Sequence, residues 1–265
     1  MENSSKQTNQ NNAKVFGVIA LKGGVGKTTV VANLGATIAQ EFKKKVLLVD
    51  ANFSTPHLGL HLGLVDPDHN LHDVINHKYS VYEAIYQHPL GFHILPGSIS
   101  PVDCDHLILK EKLAPLRKIY DVILIDSSPS LNNEMFATMA ASDDLVVVST
   151  PDYPTLSSTL FAIKVAQRKN TNIRGIVLNK IREKKFELSQ RDIEHASDID
   201  VLATIPDHVN VQAALAEMVP MVSRSPRHEV SKEYKKLAST LMGIEEEGMF
   251  SKIKRKLKSK ASKKK

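Results

Sequence analysis

The residues best suited to chemistry lie in the segment K-G-G-V-G-K-T-T, which runs from Lys22 to Thr29. Its glycines have no Cβ, so the backbone can turn tightly and approach a ligand closely. A glycine-rich loop that opens a helix also points backbone N–H groups and the positive end of the helix dipole into one concavity. These properties suit a phosphate group. The alternative, a merely flexible loop, fits poorly with the apolar run Val15–Leu21 before the segment and the helical pattern Thr29–Phe42 after it.

This segment comes close to the phosphate-loop pattern G-x-x-x-x-G-K-[ST], with one departure. Leu21 stands where the first glycine would be, and Lys22 adds a second lysine. In such a loop Lys27 reaches the terminal phosphates and the hydroxyl of Thr28 suits Mg²⁺. The residues predicted to bind the phosphates of a nucleotide are Gly23, Gly24, Val25, Gly26, Lys27, Thr28 and Thr29.

Two predicted strands end in an aspartate. The apolar run Val46–Val49 is followed by Asp50, and the run Val122–Ile125 is followed by Asp126. Either aspartate alone could equally cap the next helix. Two of them at the ends of parallel strands, beside a phosphate loop, are suited to hold Mg²⁺ or a water bound to it. The sequence therefore predicts a magnesium site formed by Asp50, Asp126 and Thr28.

A third strand end carries an amide. Asn179 follows the run Ile173–Leu178, and its side chain offers a donor and an acceptor that suit the edge of adenine. Taken without the other motifs, it would more simply be a turn residue. After the next strand, Pro206 and Asp207 are predicted to line the other side of the base.

Short apolar runs alternate with helical patterns along the chain, and several runs are continuously apolar. That pattern is typical of parallel strands covered by helices on both faces. It predicts an α/β fold with a doubly wound, mostly parallel sheet of about seven or eight strands, whose ligand sites lie beyond the carboxyl ends of the strands. The predicted strands are Val15–Leu21, Val46–Asp50, Phe92–Leu95, Val122–Asp126, Leu145–Thr150, Ile173–Leu178 and Val201–Ile205.

Composition limits the class of protein. A chain of 265 residues can bury one sizeable core, and no stretch approaches the ~18 apolar residues that span a bilayer. Residues 1–13 are rich in Asn, Gln and Ser and are predicted to be a disordered leader. The single Cys104 excludes an intramolecular disulfide and a CxxC cluster site, and it favours a cytoplasmic location.

The basic charge is concentrated at the C-terminal end. Residues 252–265 contain nine Lys or Arg and no acid, which leaves the rest of the chain with a net charge of −3 out of a total of +6. On a helical wheel Met249, Phe250, Ile253 and Leu257 form an apolar arc with most of the lysines outside it. Residues 246–265 are thus predicted to be a basic amphipathic tail. We expect residues 248–260 to bind an anionic membrane surface.

Two other interpretations of the tail stay open. It could be a solvated disordered run, since Ser and Lys dominate after residue 258. It could also bind nucleic acid through its charge. We regard nucleic acid as the less favoured ligand, because Phe250 is the only aromatic residue there and the body of the protein is acidic.

The motifs together resemble the MinD/ParA group of deviant Walker A ATPases, which are P-loop NTPases of the SIMIBI type. The resemblance covers about residues 14–245, predicted to be one ATPase domain, and the segment 205–222 and the tail are similar to the MinD branch. It implies ATP and Mg²⁺ as ligands and a homodimer that forms on ATP, in which Lys22 reaches the γ-phosphate held by the partner. It further implies that Asp50 and Asp126 lie in two switch regions and that Asn179 contacts adenine.

One position departs from that family. Many members have D-x-D in the first switch, whereas this chain has Asp50-Ala51-Asn52. An amide can orient a water but cannot take its proton. Lys22, Asn52 and Asp126 are therefore predicted to support a slow ATP hydrolysis that an unidentified protein activator or cargo stimulates.

The predicted function is a MinD-like ATPase that binds membrane reversibly, as a peripheral protein, to position cell division or another machinery. A ParA-like DNA or cargo partition ATPase and a flagellar-placement relative remain alternatives. Iron–sulfur carriers of the same superfamily need cysteines that this chain lacks.

Four histidines follow the first switch, and His57 and His61 are four residues apart. Zinc would need further ligands in suitable geometry. We therefore predict that these two, together with His69 and His72, are loop and surface residues.

Overall fold

The computed structural model of the protein describes residues 12–100 and 103–244. The predicted tail and all but the last two residues of the predicted leader lie outside this part. Ala13, predicted to belong to the leader, is buried, and its N–H donates to the carbonyl of Arg117 at 2.7 Å. The ordered body thus includes at least one residue more than the sequence indicates.

Eight strands form one sheet. In chain order they are β1 (Lys14–Ile19), β2 (Val46–Ala51), β3 (Tyr86–Gln87), β4 (His93–Leu95), β5 (Val122–Ser127), β6 (Asp144–Ser149), β7 (Asn172–Ile181) and β8 (Val201–Pro206). Their order across the sheet is β3-β4-β2-β5-β1-β6-β7-β8, and every pair except β3–β4 is parallel. This confirms the doubly wound, mostly parallel α/β sheet.

Helices cover both faces of the sheet. They are α1 (Lys27–Phe42), α2 (Leu58–His61), α3 (Leu71–Ile75), α4 (Leu109–Leu113), α5 (Asn133–Ala141), α6 (Tyr153–Arg168), α7 (Gln190–Ser197), α8 (Val209–Ala216), α9 (Met221–Arg224) and α10 (Glu229–Leu241). Short 3-10 turns at His106–Ile108 and Ala114–Lys118 flank α4. No helix in the described ranges is long and apolar enough to cross a bilayer.

The strands alternate their side chains between the two layers of helices. In β1, Phe16 and Val18 pack in a core with α1 and α10, whereas Val15 packs in a second core with α3, α4 and α5. A third apolar cluster joins β6 and β7 to α6. Burial on both faces explains why the central strands are continuously apolar.

Two differences from the predicted elements have simple causes. Strand β3 has only two residues and sits at the sheet edge, so it carries no apolar run that a pattern could detect. Helix α1 begins at Lys27, two residues before the predicted start, because Gly26 ends the loop in a left-handed conformation (φ +98°) and its carbonyl accepts the N–H of Val30. Lys27 and Thr28 therefore belong to the first turn of the helix.

Candidate functional site

The loop between β1 and α1 is held from behind by the end of β7. The Asn179 amide donates to the carbonyl of Val25 at 2.7 Å, and the Lys180 ammonium donates to the carbonyl of Gly24 at 2.7 Å. A Cβ at position 26 would collide with the Asn179 amide, so glycine is required there by close approach as well as by its positive φ. The loop carbonyls are thus turned toward β7.

The N–H groups of the same loop are left without partners. From Gly23 to Thr29, no backbone N–H donates to another described residue. Seven adjacent donors at a helix N-terminus form a concavity suited to an anion. The predicted phosphate-binding residues are therefore brought together by the fold.

This loop forms one wall of a cavity of about 510 Å³. Its phosphate end is lined by Gly23, Gly24, Gly26, Lys27, Thr28, Thr29, Asn52 and Pro129. Its other end is lined by Asn179, Arg182, Ile205, Pro206, Asp207, His208, Val211, Gln212, Leu215 and Tyr234. Of the residues predicted to bind the nucleotide, Val25 alone does not line this cavity; it is buried beneath the loop.

The three predicted metal-binding residues converge at the phosphate end. Asp50 and Asp126 are direct neighbours on the adjacent strands β2 and β5. The Thr28 hydroxyl donates to Oδ2 of Asp126 at 2.6 Å, while Oδ1 of Asp126 is buried without a hydrogen-bond partner among the described residues. An orphaned buried carboxylate oxygen beside a hydroxyl and a second carboxylate fits a hard, oxygen-seeking cation such as Mg²⁺.

The electrostatics of Asp50 and Asp126 also favour a cation site. Burial raises the pKa of Asp50 well above its ordinary value, and the neighbouring charge of Asp126 adds to the effect. Burial also raises the pKa of Asp126, against the opposing influence of Lys27 and the Thr28 hydroxyl. Lys27 itself is 8% exposed, and burial lowers its pKa. A bound divalent cation would hold both carboxylates ionised.

Asn52 is engaged by its own loop. Its side-chain amide nitrogen donates to the carbonyl of Thr55, and its side-chain oxygen accepts from the Thr55 hydroxyl at 3.2 Å. The next residues are fixed as well, because Ser54 donates through both its hydroxyl and its N–H to the buried carboxylate of Glu134 on α5. An aspartate could not make the donation to the Thr55 carbonyl, so the amide stabilises this conformation of the loop.

Lys22 lies outside the large cavity. Its ammonium donates to Oδ1 of Asp152 at 3.1 Å and to the Thr155 hydroxyl at 2.8 Å, both at the start of α6. It lines a second cavity of about 300 Å³ on the other side of the loop, together with Thr150 and Phe186. The two lysines of the loop therefore face different spaces.

The end of the cavity opposite the phosphate loop, where the base is predicted to bind and which we call the base end, combines one ion pair with apolar side chains. The Arg182 guanidinium donates to Asp207 at 2.7 Å across the ends of β7 and β8. One of the two N–H donors of the Asn179 amide is used by the Val25 carbonyl, which leaves the second N–H and the oxygen for a ligand. Pro206 and Asp207 line the cavity as predicted.

The histidine prediction was wrong for His72. It is 1% exposed in α3, where it bonds to the carbonyl of Phe53 and to the N–H of Ser98 behind the first switch. His57 is exposed, and His61 and His69 are partly buried. None of the four belongs to a potential metal-binding group among the described residues.

One such group does exist, formed by His208, His228 and Glu229. Nδ1 of each histidine accepts a backbone N–H and caps a helix, α8 or α10. Histidines that ligate a metal instead donate their second ring nitrogen to an acceptor. We therefore assign these histidines as helix caps.

Sequence reasoning missed several residues around the site. Asp152 and Thr155 contact Lys22, and Glu134 contacts Ser54, each across at least 80 residues of chain. Arg182 pairs with Asp207, and Tyr234 lines the cavity. No motif marked them, although Asp152 could have been recognised as a helix N-cap from the sequence D-Y-P-T before α6.

Comparisons with known proteins agree with this geometry. A family model described as an AAA domain matches residues 13–176. The septum site-determining protein MinD of Thermotoga maritima is 31% identical over 245 residues, which cover 86% of this chain and 88% of that protein. The cell division ATPase MinD of Pyrococcus furiosus has a similar structure, with a TM-score of 0.83 at 29% identity over 87% of this chain and 99% of that one.

A further structure is that of MinD from Pyrococcus horikoshii in complex with Mg-ADP, with a TM-score of 0.83 at 28% identity over 86% of this chain and 96% of that one. The phosphate cradle, the paired aspartates and these relatives lead to one conclusion: the chain belongs to the MinD/ParA family of P-loop ATPases, which bind ATP together with Mg²⁺.

Proposed function

We propose that this protein is an ATP-driven switch that dimerises on ATP, binds an anionic membrane surface as a dimer, and leaves it after hydrolysis. Its role would be to position cell division or another cellular machinery. The observation that carries the proposal is the placement of Lys22, which faces away from the cavity beside its own phosphate cradle.

Lys22 is held by contacts that can be exchanged. Its side chain is 43% exposed, and its ion pair with Asp152 is partly open to water, where such pairs are weak. A polyphosphate on a second subunit would offer more negative charge than one carboxylate. Dimerisation on ATP is therefore proposed to release Lys22 from α6 and to direct it to the γ-phosphate of the partner.

Hydrolysis is proposed to take place at the phosphate end of the cavity. Mg²⁺ would be held by Thr28, Asp50 and Asp126 and would withdraw charge from the phosphates. Lys27 and the unpaired N–H groups of the loop would bind the phosphate oxygens. Asn52 would have to leave Thr55 before it could orient the attacking water, which favours slow turnover without an activator.

Membrane binding is proposed for the predicted tail, which follows α10 in the chain. A single apolar arc of four residues gives weak attachment, whereas two linked tails bind far more tightly because the second attachment is intramolecular. Coupling of attachment to ATP therefore follows from dimerisation alone.

The test combines the rate of ATP hydrolysis with vesicle co-sedimentation. We expect the rate to rise more steeply than linearly with protein concentration, and we expect sedimentation with anionic vesicles in ATP but not in ADP. Ile253→Glu should abolish sedimentation because it breaks the apolar arc, whereas Ser259→Glu makes the same charge change outside the arc and should weaken it only slightly. The proposed membrane switch would be contradicted if the protein sedimented equally with vesicles in ATP and in ADP. It would also be contradicted if Ile253→Glu sedimented as much as the unchanged protein.

The same assay separates the alternatives. A DNA partition ATPase would bind double-stranded DNA in ATP, with an affinity that falls steeply as salt increases. A flagellar-placement protein would behave as proposed on vesicles and would differ in the partner that it binds, which pull-down with the ATP-bound dimer identifies.

A further inference from the structure

Tyr234 is a buried tyrosine at the base end of the nucleotide cavity. It lies in the middle of α10, its side chain is 1% exposed, and it is one of the residues that line the 510 Å³ cavity. Its neighbours along this wall are the apolar side chains of Ile205, Val211 and Leu215. The phosphate cradle is at the opposite end.

The hydroxyl of Tyr234 forms no hydrogen bond with a residue of the ranges 12–100 and 103–244. Its oxygen is not among the fully buried unpaired atoms of these ranges, so it is open to the cavity that Tyr234 lines. The other buried tyrosine of this part, Tyr120, is paired with Nδ1 of His93 at 2.6 Å. The partly buried Tyr86 hydroxyl both accepts from and donates to the backbone of His69. Buried tyrosine hydroxyls normally have a partner, because an unpaired one forfeits its hydration without compensation.

The position of the hydroxyl is fixed by packing. Helix α10 packs against β8 and α1, and Tyr234 belongs to the same apolar core as Val230 and Leu237 on that helix. Such a side chain meets solvent only through the cavity that it lines. A group that enters the cavity from solvent can supply the missing hydrogen-bond partner.

We propose that the Tyr234 hydroxyl forms a hydrogen bond with the base of the bound nucleotide. The apolar wall beside it suits the faces of a flat heterocycle, whereas a ribose would expose its hydroxyls to side chains that cannot pair with them. This inference rests on the binding of ATP in the larger cavity. It adds a contact from the last described helix to the base-end residues Asn179, Pro206 and Asp207.

The test is Tyr234→Phe, which keeps the ring and removes only the oxygen. Two measurements should move in different directions. The melting temperature of the nucleotide-free protein should stay the same or rise, because the hydroxyl has no hydrogen bond within the protein to lose. The affinity for ATP, measured by calorimetry, should fall about 3- to 10-fold, because one hydrogen bond to the ligand is lost.

Tyr120→Phe is the matched control, since it removes a buried hydroxyl that is already paired with His93. It should lower the melting temperature of the nucleotide-free protein and leave ATP affinity unchanged. Two further ligands locate the contact: inorganic tripolyphosphate should bind Tyr234→Phe as it binds the unchanged protein, and 2′-deoxy-ATP should show the same loss as ATP.

Each other outcome overturns the inference. ATP affinity unchanged in a folded Tyr234→Phe protein would show that the hydroxyl does not contact the nucleotide. An equal loss for tripolyphosphate would indicate a general disturbance, and a loss that vanishes with 2′-deoxy-ATP would place the contact on the ribose. If the unchanged protein fails to bind ATP, the nucleotide site itself is refuted instead.

Discussion

Lys22 and Lys27 come from one loop, five residues apart, yet their environments differ in every respect. Lys27 is buried at the floor of the large cavity beside Asp126, and burial lowers its pKa. Lys22 is half exposed on the far side of the loop and is paired with Asp152 of α6. Lys27 can therefore contact only a ligand in the large cavity. Lys22 is bound to a separate element, α6, and can be released from it.

This difference shows how one loop can serve two partners. A buried cation costs free energy unless an anion is bound beside it, so Lys27 makes the cavity favour phosphate. A surface cation in an exchangeable pair costs little, so Lys22 can be redirected without disturbing the fold. Substitutions at the two positions should consequently damage different steps.

Lys27→Ala should have the largest effect. It removes the buried positive charge that faces both the phosphates and Asp126, so ATP affinity should fall about 100-fold and turnover should become undetectable. Calorimetry with Mg-ATP measures the affinity. An affinity within threefold of the unchanged protein would show that Lys27 is not in the phosphate site.

Lys22→Ala should leave ATP affinity within about threefold and lower turnover by about 10³-fold, by analogy with other charges supplied by a partner subunit to a phosphoryl-transfer site. Its rate should also lose the steeper-than-linear dependence on protein concentration. Equal losses of affinity and turnover would contradict the separation between the two lysines.

Asn52→Asp should raise turnover about 5-fold. The carboxylate repels the Thr55 carbonyl that the amide now contacts, which opens the loop, and it can take a proton from the attacking water. Steady-state phosphate release measures the change, with Thr55→Ala as the control that removes only the side-chain contact. A turnover that falls would show that the amide itself orients the water.

Asp152→Asn should produce a smaller change, about a 2- to 3-fold rise in dimerisation on ATP. Burial alone would raise the pKa of Asp152, but hydrogen bonds from Thr150, Thr155 and Lys22 outweigh it and lower that pKa to about 2, so the Asp152 carboxylate is ionised at neutral pH. Removing its charge weakens the hold on Lys22. Analytical ultracentrifugation measures the monomer–dimer equilibrium, and weaker dimerisation would place Asp152 in the dimer contact itself.

The smallest predicted effect is a pH dependence of the nucleotide-free protein. Burial raises the pKa of Asp126 to about 6, above the value of 3.8 expected when unfolded. The folded state therefore holds a proton that the unfolded state has lost, and this group's contribution to stability declines from pH ~4 and is gone above ~6. Asp126→Asn should flatten the fall in melting temperature between pH ~4 and ~6, by a few degrees, and should abolish stabilisation by Mg²⁺. An unchanged pH profile would contradict the raised pKa.

The sequence was sufficient for the parts of the site that lie next to one another in the chain or at strand ends. The loop Lys22–Thr29 and the aspartates 50 and 126 could be predicted because parallel strands bring their carboxyl ends to one edge. The pairing of Lys22 with Asp152 could not, since it joins side chains 130 residues apart. The role of Tyr234 could not be predicted either, because the sequence shows only that it occupies the apolar face of an amphipathic helix.

The position of β1 in the sheet has a consequence for the synthesis of the chain. The strand that leads into the phosphate loop pairs with β5 and β6, which are made only with residues 122–127 and 144–149. Native contacts of such large sequence separation form slowly because a long loop must close first. A growing chain on the ribosome therefore carries its complete phosphate motif, which ends at Thr29, until synthesis reaches β5 at Val122–Ser127, before β1 has a strand to pair with. Pulse-chase proteolysis of stalled chains should find protection by ATP only after β8 has emerged, since that strand supplies the base end.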